Sequence, residues 1–504
     1  MDPETMYDDI ANVGIKDGKI AVIAKDMIQG KETINAKGLV VAPGFIDTHF
    51  HSIQAVGYKL GLRDGVTTGM DLEMGTQGSH MKEWYAKRAG KTRMNYGAAV
   101  SHELARAFVL DGNDGVDILS GVRTRADGDG WSSRQPNLEE GNGILKNLDE
   151  GLQAGAIGIG STVGYMRAGV SAREMFEVQR LAARYGRQTS VHFRYTPGTA
   201  TTEANGLQEA LANAVVLDAP FLACHFNNPG WELVHELLTR ARAEGHNVWG
   251  EIYPYAAGST TLNAVFLRPE MWIDQLGNRY EDTLFDPATN TFFTRETYAS
   301  TLKTDPTHLV VVYKSPPEDV VKWLSLPGVS IGADNMPFLP VDQELDTTPY
   351  EQLANTHPRT AGAHAKTLRL GRENAVPLMQ SLSQLSYVSA KHLGEMGLEA
   401  MQVRGRLQQG MVADIAIFNP ETVTDHSTYE KGMLPSTGFA AVIVNGKVVV
   451  KDDKVNPDVF PGQPIRFAES EKGLFKPLKI EDWVTKYTVA PMDFGGTSGL
   501  NPTK

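Results

Sequence analysis

Short apolar, β-favouring runs broken by glycine turns open the chain. Val13-Gly14-Ile15, Ile20-Ala21-Val22-Ile23-Ala24 and Leu39-Val40-Val41 predict three short strands. The segment 402–450 has the same texture, with Ala413-Asp414-Ile415-Ala416-Ile417-Phe418 and then a longer run over 441–450. That run is interrupted by Asn445-Gly446, a strong hairpin signal between apolar stretches. Two β-rich pieces at opposite ends predict one small β domain assembled from residues 1–43 and 402–454. Between them, over 44–401, strand-like and helix-like runs alternate. The run Ala156-Ile157-Gly158-Ile159-Gly160 precedes a helix starting near Ser171, where Ser171-Ala172-Arg173-Glu174 reads as a capping box. Gln188-Thr189-Ser190-Val191-His192-Phe193 follows, then a helix around 207–217, then Phe221-Leu222-Ala223-Cys224-His225 and a helix around 233–243. His308-Leu309-Val310-Val311-Val312-Tyr313 and Val329-Ser330-Ile331-Gly332-Ala333-Asp334 complete the series. Repeated βα units imply an α/β fold with a parallel sheet. Residues 262–306, aromatic and polar without a clear period, predict a capping insertion. Residues 455–504, rich in Pro, Gly and Lys, predict a tail wrapped on the surface or partly disordered.

Composition narrows the partners. A chain of 504 residues has room for more than one domain. A formal net charge of −12 argues against nucleic acid or an anionic membrane and leaves a small molecule as the expected partner. The single cysteine, Cys224, excludes an intramolecular disulfide. No apolar run is long enough to span a bilayer, and the visible N-terminus has no signal-peptide pattern, so the sequence as it stands reads as cytoplasmic.

The candidate chemistry sits at the ends of the apolar runs. Val40-Val41-Ala42-Pro43-Gly44-Phe45-Ile46-Asp47-Thr48-His49-Phe50-His51 closes a strand with two histidines. Residues i and i+2 of a strand share a face, so His49 and His51 project side by side and can grip one cation. His192, His225 and Asp334 end three further runs. In a (β/α)8 barrel, that end of the strands carries the catalytic groups. Neighbours on a strand point to opposite faces. His225 is therefore assigned to the barrel centre and Cys224 to the outer packing layer, as a small buried hydrophobe. Asp334 suits a group that holds a metal and takes a proton from its water. The ordinary alternatives are a structural histidine at 192 or 225 and a helix cap at Asp334. Many dinuclear hydrolases bridge their metals with a carbamylated lysine on the fourth strand, but 156–161 contains none. Glu73, at the end of the run 65–73, is the first candidate for a bridge and Glu103 the second. Either could instead be a solvated loop acid.

With these residues in view, the chain resembles the amidohydrolase superfamily, and within it the D-aminoacylase (N-acyl-D-amino-acid deacylase) family. The resemblance runs from Met1 to about Val450. It is carried by residues 42–51, Gly65-Val66-Thr67-Thr68, Gly155-Ala156-Ile157-Gly158, Val191-His192-Phe193-Arg194, Tyr253-Pro254-Tyr255-Ala256-Ala257-Gly258-Ser259-Thr260, His357-Pro358-Arg359-Thr360 and Gly410-Met411-Val412-Ala413-Asp414. It implies a (β/α)8 TIM barrel with a small β-sandwich and an insertion near 262–306. It also implies a zinc-dependent amide hydrolase with one or two metals. His192 and His225 match the ligands of the tight metal site, His49 and His51 those of a second site, and Asp334 the general base. Glu73 stands near the place of a usual bridging cysteine. Asn227 occupies the place of a lysine that meets the substrate carboxylate, and Ser52-Ile53 replaces an acid usual after the histidine pair. Tyr165, Arg194, Tyr253, Ser259 and Arg359 match positions suited to an anion. Relatives begin with a further strand, so a removed signal and a periplasmic location stay open, as does a homo-oligomer. The expected reaction is hydrolysis of an N-acyl-D-amino acid or similar N-acyl compound. The alternatives are another amide-like bond (cyclic amide, dipeptide, carbamate or lactone) and a non-catalytic metal-binding protein on the same fold.

Overall fold

In a computed structural model of the chain, residues 1–125, 130–166, 168–194, 205–336 and 347–483 are described. Eight strands lie in sequential order in one sheet: Phe45–Asp47, Val66–Thr76, Asn95–Ser101, Gly158–Ser161, Gln188–His192, Phe221–Cys224, Val248–Ile252 and Val329–Ile331. Every neighbouring pair is parallel. The ends of the series meet. Phe50 bridges Asn335 in the parallel sense, and the Ala333 N–H donates to the Asp47 carboxylate at 3.1 Å. Nearly every strand residue is buried, as expected for a parallel sheet covered by helices outside and packed side chains inside.

The interior layer contains Ile46, Met70, Leu72, Ile157, Leu222, Cys224 and Trp249. Cys224 therefore faces the barrel centre, contrary to the sequence expectation. Alternation fails to separate it from His225 because the strand stops at Cys224 and His225 lies beyond the pleat. Ser171 does accept a hydrogen bond from the Glu174 N–H, but the reciprocal half of the expected capping box is missing. The Glu174 carboxylate turns inward to His102 Nε2 (3.0 Å) and Arg106, buried groups that need it more than an exposed helix end does.

Two strand assignments change. Leu309–Tyr313 is not a barrel strand; it runs antiparallel between Ala257–Thr261 and Leu284–Asp286, with Thr291–Phe292 at the edge. The seventh barrel strand is Val248–Ile252, whose Gly250-Glu251 hides the apolar run in the sequence. The excursion from the barrel thus begins at Ala257 and returns after Tyr313. It has its own core of Leu262, Leu267, Trp272, Tyr280, Tyr298 and Val310.

Both chain ends build the small β domain. Val40–Pro43 pairs with Ile415–Phe418, which continues through Phe439–Val444 and Lys447–Lys451 to Lys454–Val455. The hairpin Asn12–Lys16/Lys19–Ala24 joins it through Ile20 N–H to Met411 O and Ala413 N–H to Gly18 O, both 2.9 Å. Asn445 and Gly446 take φ of 47° and 77°, the left-handed pair that a tight hairpin turn requires. Past Val455 the chain returns to the barrel. Ile465 joins the interior layer, with its N–H on Tyr96 O at 2.7 Å, and the Trp483 indole donates to Pro136 O at 3.2 Å. The remainder of the expected tail, 484–504, lies outside the described residues. The whole is a (β/α)8 barrel with a small β-sandwich domain made from both ends. No helix among the described residues is long and apolar enough to cross a membrane.

Candidate metal centre

His49 and His51 follow the first barrel strand, and their Nε2 atoms face each other at 3.1 Å. Each uses Nδ1 on a carboxylate: His49 on Glu251 at 2.5 Å, His51 on Asp71 at 3.1 Å. The Glu251 contact places the His49 ring proton on Nδ1, so the His49 Nε2 lone pair faces the His51 ring. Such a pair of rings is satisfied by a proton or a metal cation between them, and carboxylate-backed imidazoles are a usual way to hold a metal. Thr48 Oγ1 fixes the second oxygen of Glu251 at 2.6 Å.

Glu73 completes the cluster. The second strand bulges between Asp71 and Thr76, whose partners Ala98 and Val100 are only two residues apart. The extra residues push Glu73 into the barrel mouth. Two glycines make room. A Cβ on Gly75 (φ 70°) would sit 2.1 Å from Ala99 O, and one on Gly160 would sit 2.2 Å from Glu73 O. Glu73 Oε1 lies 2.7 Å from His192 Nδ1, and Oε2 lies 3.1 Å from His49 Nε2 and 3.3 Å from His51 Nε2. Donor atoms of His49, His51 and Glu73 fall within 4.8 Å of one another, as do those of Glu73, His192 and His225. One carboxylate therefore belongs to two potential metal positions. Among the described residues His225 Nδ1 is buried without a hydrogen-bond partner, which fits a metal-ligand atom. The residues fit a two-metal site with imidazole and carboxylate donors, a set suited to zinc.

Glu103 stays apart. It forms a bidentate pair with Arg125 (3.0 and 2.7 Å), and Arg125 lies 3.9 Å over the Tyr165 ring. Its role is to hold a wall of the cleft. Cys224, His49 and Glu251 also gather within 4.8 Å. Burial and the Glu251 carboxylate keep that thiol protonated, well above its ordinary pKa, so this group supports His49 from below.

Asp334 caps the centre. Oδ1 lies 3.3 Å from His49 Nε2 and 3.5 Å from His51 Nε2; Oδ2 lies 3.2 Å from His225 Nε2 and 2.8 Å from Arg359 Nη1. Its φ of 50° is a left-handed conformation, a strain of the kind found at functional sites. The His-Pro-Arg motif explains how Arg359 is aimed. His357 Nε2 donates to Ala257 O at 2.9 Å, and its Nδ1 accepts the Arg359 N–H at 3.0 Å. Arg359 Nη2 then reaches Ser259 O at 3.2 Å.

The electrostatics demand positive charge. Burial opposes the charged form of His49, yet Glu73, Asp334 and Glu251 hold its pKa well above normal. His51 is raised likewise against burial, chiefly by Asp71. Burial also opposes ionisation of Glu73 and Asp334, but the histidines, and Arg359 for Asp334, keep both well below the usual carboxylate range. Burial and then the Lys314 ammonium push His225 down to about 3, so it presents a neutral imidazole.

The expected substrate contacts divide. Tyr165 packs against His192 (4.9 Å between centroids) and bonds Thr260 Oγ1 at 3.1 Å. His192 is the most open of the four histidines, 18% exposed against 0–8% for the others, which makes the Tyr165 side the entrance. Arg194 is held bidentately by Glu209 (2.8 and 2.6 Å), so the anion expected on it is already supplied by the protein. Asn227 is buried and donates to Tyr253 O at 3.2 Å, a scaffold contact. Tyr253 packs tilted against His225 with 4.7 Å between centroids, and the Arg359 guanidinium lies 4.7 Å from the Tyr253 ring centroid. Ser259 offers its carbonyl to Arg359. Sequence reading missed Glu251 and Lys314. An acid inside Val248-Trp249-Gly250-Glu251-Ile252 was the available signal for the first. The second was hidden because Lys314 follows a strand assigned to the barrel. Burial and the Arg359 guanidinium push Lys314 down to about 7.

Comparison with known proteins fits this geometry. No family model matches the chain. A D-aminoacylase of Alcaligenes xylosoxydans xylosoxydans is 27% identical over 482 residues, 87% of this chain and 90% of that protein. A solved D-aminoacylase described by its binuclear metal centre superposes with a TM-score of 0.73 at 21% identity, covering 93% of this chain and 98% of that one. An N-acyl-D-glutamate deacylase from Bordetella bronchiseptica, solved with zinc and a phosphonate mimic of the tetrahedral intermediate, gives 0.72 at 22%, covering 92% and 97%. Fold and donor set are thus similar to those of a solved D-aminoacylase described as defining a subset of the amidohydrolases. Within that class the chain is a relative of the D-aminoacylases.

Proposed function

We propose that this chain hydrolyses the amide bond of N-acyl-D-amino acids or closely similar N-acyl compounds. The observation that carries the reading is Glu73, shared between the pairs His49/His51 and His192/His225, beneath an Asp334 aimed by Arg359. A divalent cation held by these donors supplies Lewis-acid polarisation of the acyl carbonyl and an activated water. His192, His225 and Glu73 would hold the tighter ion, and His49, His51 and Glu73 the second. Asp334, ionised and within 3.5 Å of three imidazole nitrogens, accepts the attacking water's proton. The water oxygen bonds to the acyl carbon, the C–N bond breaks, and Asp334 delivers the proton to the departing amine. Arg359 keeps Asp334 oriented and ionised between these steps. The D series is favoured because the relatives named D-aminoacylase and N-acyl-D-glutamate deacylase match most of the chain.

The test is a panel assay on zinc-loaded protein. N-acyl-D- and N-acyl-L-amino acids are compared with a hydantoin, a dihydropyrimidine, a dipeptide, a carbamate and a lactone. The reading requires the N-acyl-D-amino acids to give the highest kcat/KM. Faster turnover of the cyclic or neutral compounds would replace it.

A further inference from the structure

Resting on the deacylase reading, we infer that Lys314 binds the α-carboxylate of the substrate. The cation comes from the returning strand of the insertion, in place of the lysine that the resemblance leads one to expect where Asn227 stands. Four cations are named around the centre, and three are already matched with carboxylates: Arg125 with Glu103 (2.7 Å), Arg194 with Glu209 (2.6 Å) and Arg359 with Asp334 (2.8 Å). Lys314 instead meets a neutral amide: its Nζ donates to Asn228 Oδ1 at 2.5 Å. Among the described residues no carboxylate is paired with this partly buried ammonium, which is costly, and a bound carboxylate supplies what it lacks.

The place is right for a group two bonds removed from the scissile nitrogen. Tyr253 packs tilted against His225, and the Lys314 Nζ lies 5.1 Å from the Tyr253 ring centroid. Lys314 is thus one aromatic ring away from a ligand-type histidine. A missing side chain lets Tyr253 and Lys314 pack close to the Gly258 backbone. A Cβ on Gly258 would fall 3.0 Å from Tyr253 Oη, 3.4 Å from Lys314 Cε and 3.7 Å from Nζ. A phenol hydroxyl and an ammonium therefore lie side by side over Gly258. Asn227, in contrast, is turned onto the Tyr253 and Tyr255 carbonyls (3.2 and 3.5 Å) and shapes the loop rather than the ligand. Lys314 follows Tyr313, the last residue of a strand paired along its length with Ala257–Thr261, so the ammonium stands on a rigid ladder.

The experiment compares N-acetyl-D-methionine with its carboxamide on zinc-loaded wild type, Lys314→Met and Lys314→Arg, with zinc content and Tm measured for each. Losing one charge-assisted hydrogen bond corresponds to about 10- to 100-fold in binding. The expected result is that wild type prefers the carboxylate and that Lys314→Met raises KM for it about 10- to 100-fold. The carboxamide should be unaffected, and Lys314→Arg should recover part of the preference. If Lys314→Met keeps zinc and fold and still discriminates as wild type does, the Lys314 assignment is overturned while the deacylase reading stands. If wild type turns over neither compound, or shows no preference for the carboxylate, the deacylase reading fails and the assignment goes with it.

Discussion

Replacing Asp334 by Asn separates chemistry from architecture. The side chain is 9% exposed, touches three imidazole nitrogens at 3.2–3.5 Å and pairs with Arg359 at 2.8 Å. Asn keeps the shape and an acceptor oxygen but cannot take a proton at neutral pH. A positioned general base contributes about 10²–10⁴-fold, or about 3–5 kcal/mol of barrier at 1.36 kcal/mol per decade. The stability cost should be smaller. Deleting the carboxylate outright, as in Asp334→Ala, leaves Arg359 buried without its partner, which costs about 3–5 kcal/mol. Asn still accepts a hydrogen bond from that guanidinium, so its loss is the difference between a charged and a neutral acceptor, about 1–2 kcal/mol. The φ of 50° at this position favours the exchange further, since Asn visits the left-handed region more readily than most residues. Asp334→Asn should therefore fold and bind zinc, keep KM within a few-fold and lose 10²–10⁴-fold in kcat. Steady-state kinetics, elemental analysis and a thermal melt on the same preparation measure all three. A kcat within tenfold of wild type at equal zinc content would remove Asp334 from proton transfer. Loss of zinc in step with kcat would make it a ligand alone.

Three further outcomes are expected. Glu73→Ala should lower bound zinc from two equivalents toward one, whereas Glu103→Ala should leave zinc unchanged and loosen the Arg125–Tyr165 wall; elemental analysis of both variants decides which acid is shared. Glu251→Gln should weaken the His49/His51 position about 10- to 100-fold, because an outer carboxylate fixes the ring proton on Nδ1; zinc competition with a chelator reads this out. In the insertion, the Asp286 hydrogen bond, working against burial, raises His308, and the reciprocal contact lowers Asp286 despite its own burial. A raised histidine stabilises fully below 6.5 and loses its contribution as pH climbs through its folded pKa. A lowered aspartate stabilises fully above 3.8 and loses its contribution as pH falls through its folded value. The pair should therefore hold the insertion best between about pH 3.8 and 6.5. Hydrogen exchange across 284–313 should slow in that window for wild type, and a His308→Gln variant showing the same profile would refute the pairing.

The period of apolar residues determined most of the barrel, because strands buried on both faces must be continuous hydrophobic runs wherever they occur. It failed at Val248–Ile252, where a glycine and a buried acid interrupt the run, and at Leu309–Tyr313, where an equally apolar run serves a different sheet. Nothing local distinguishes those two; partner strands do. The histidines at 49, 51, 192 and 225 and the acid at 334 were legible for a related reason: chemistry-bearing residues at strand ends stand out against apolar runs. Which atoms of which groups meet was decided only by tertiary structure. The bulge that brings Glu73 between two histidine pairs depends on Gly75 and Gly160, residues from different strands. Cys224 faces inward because its strand ends one residue before His225. Arg194 reads as an anion site in the sequence and is neutralised by Glu209 in the fold, while Lys314, unremarkable in the sequence, arrives beside Tyr253 from the far end of the insertion. Charge is a property of the sequence, but the pairing of charges is set by distances that close only when the barrel does.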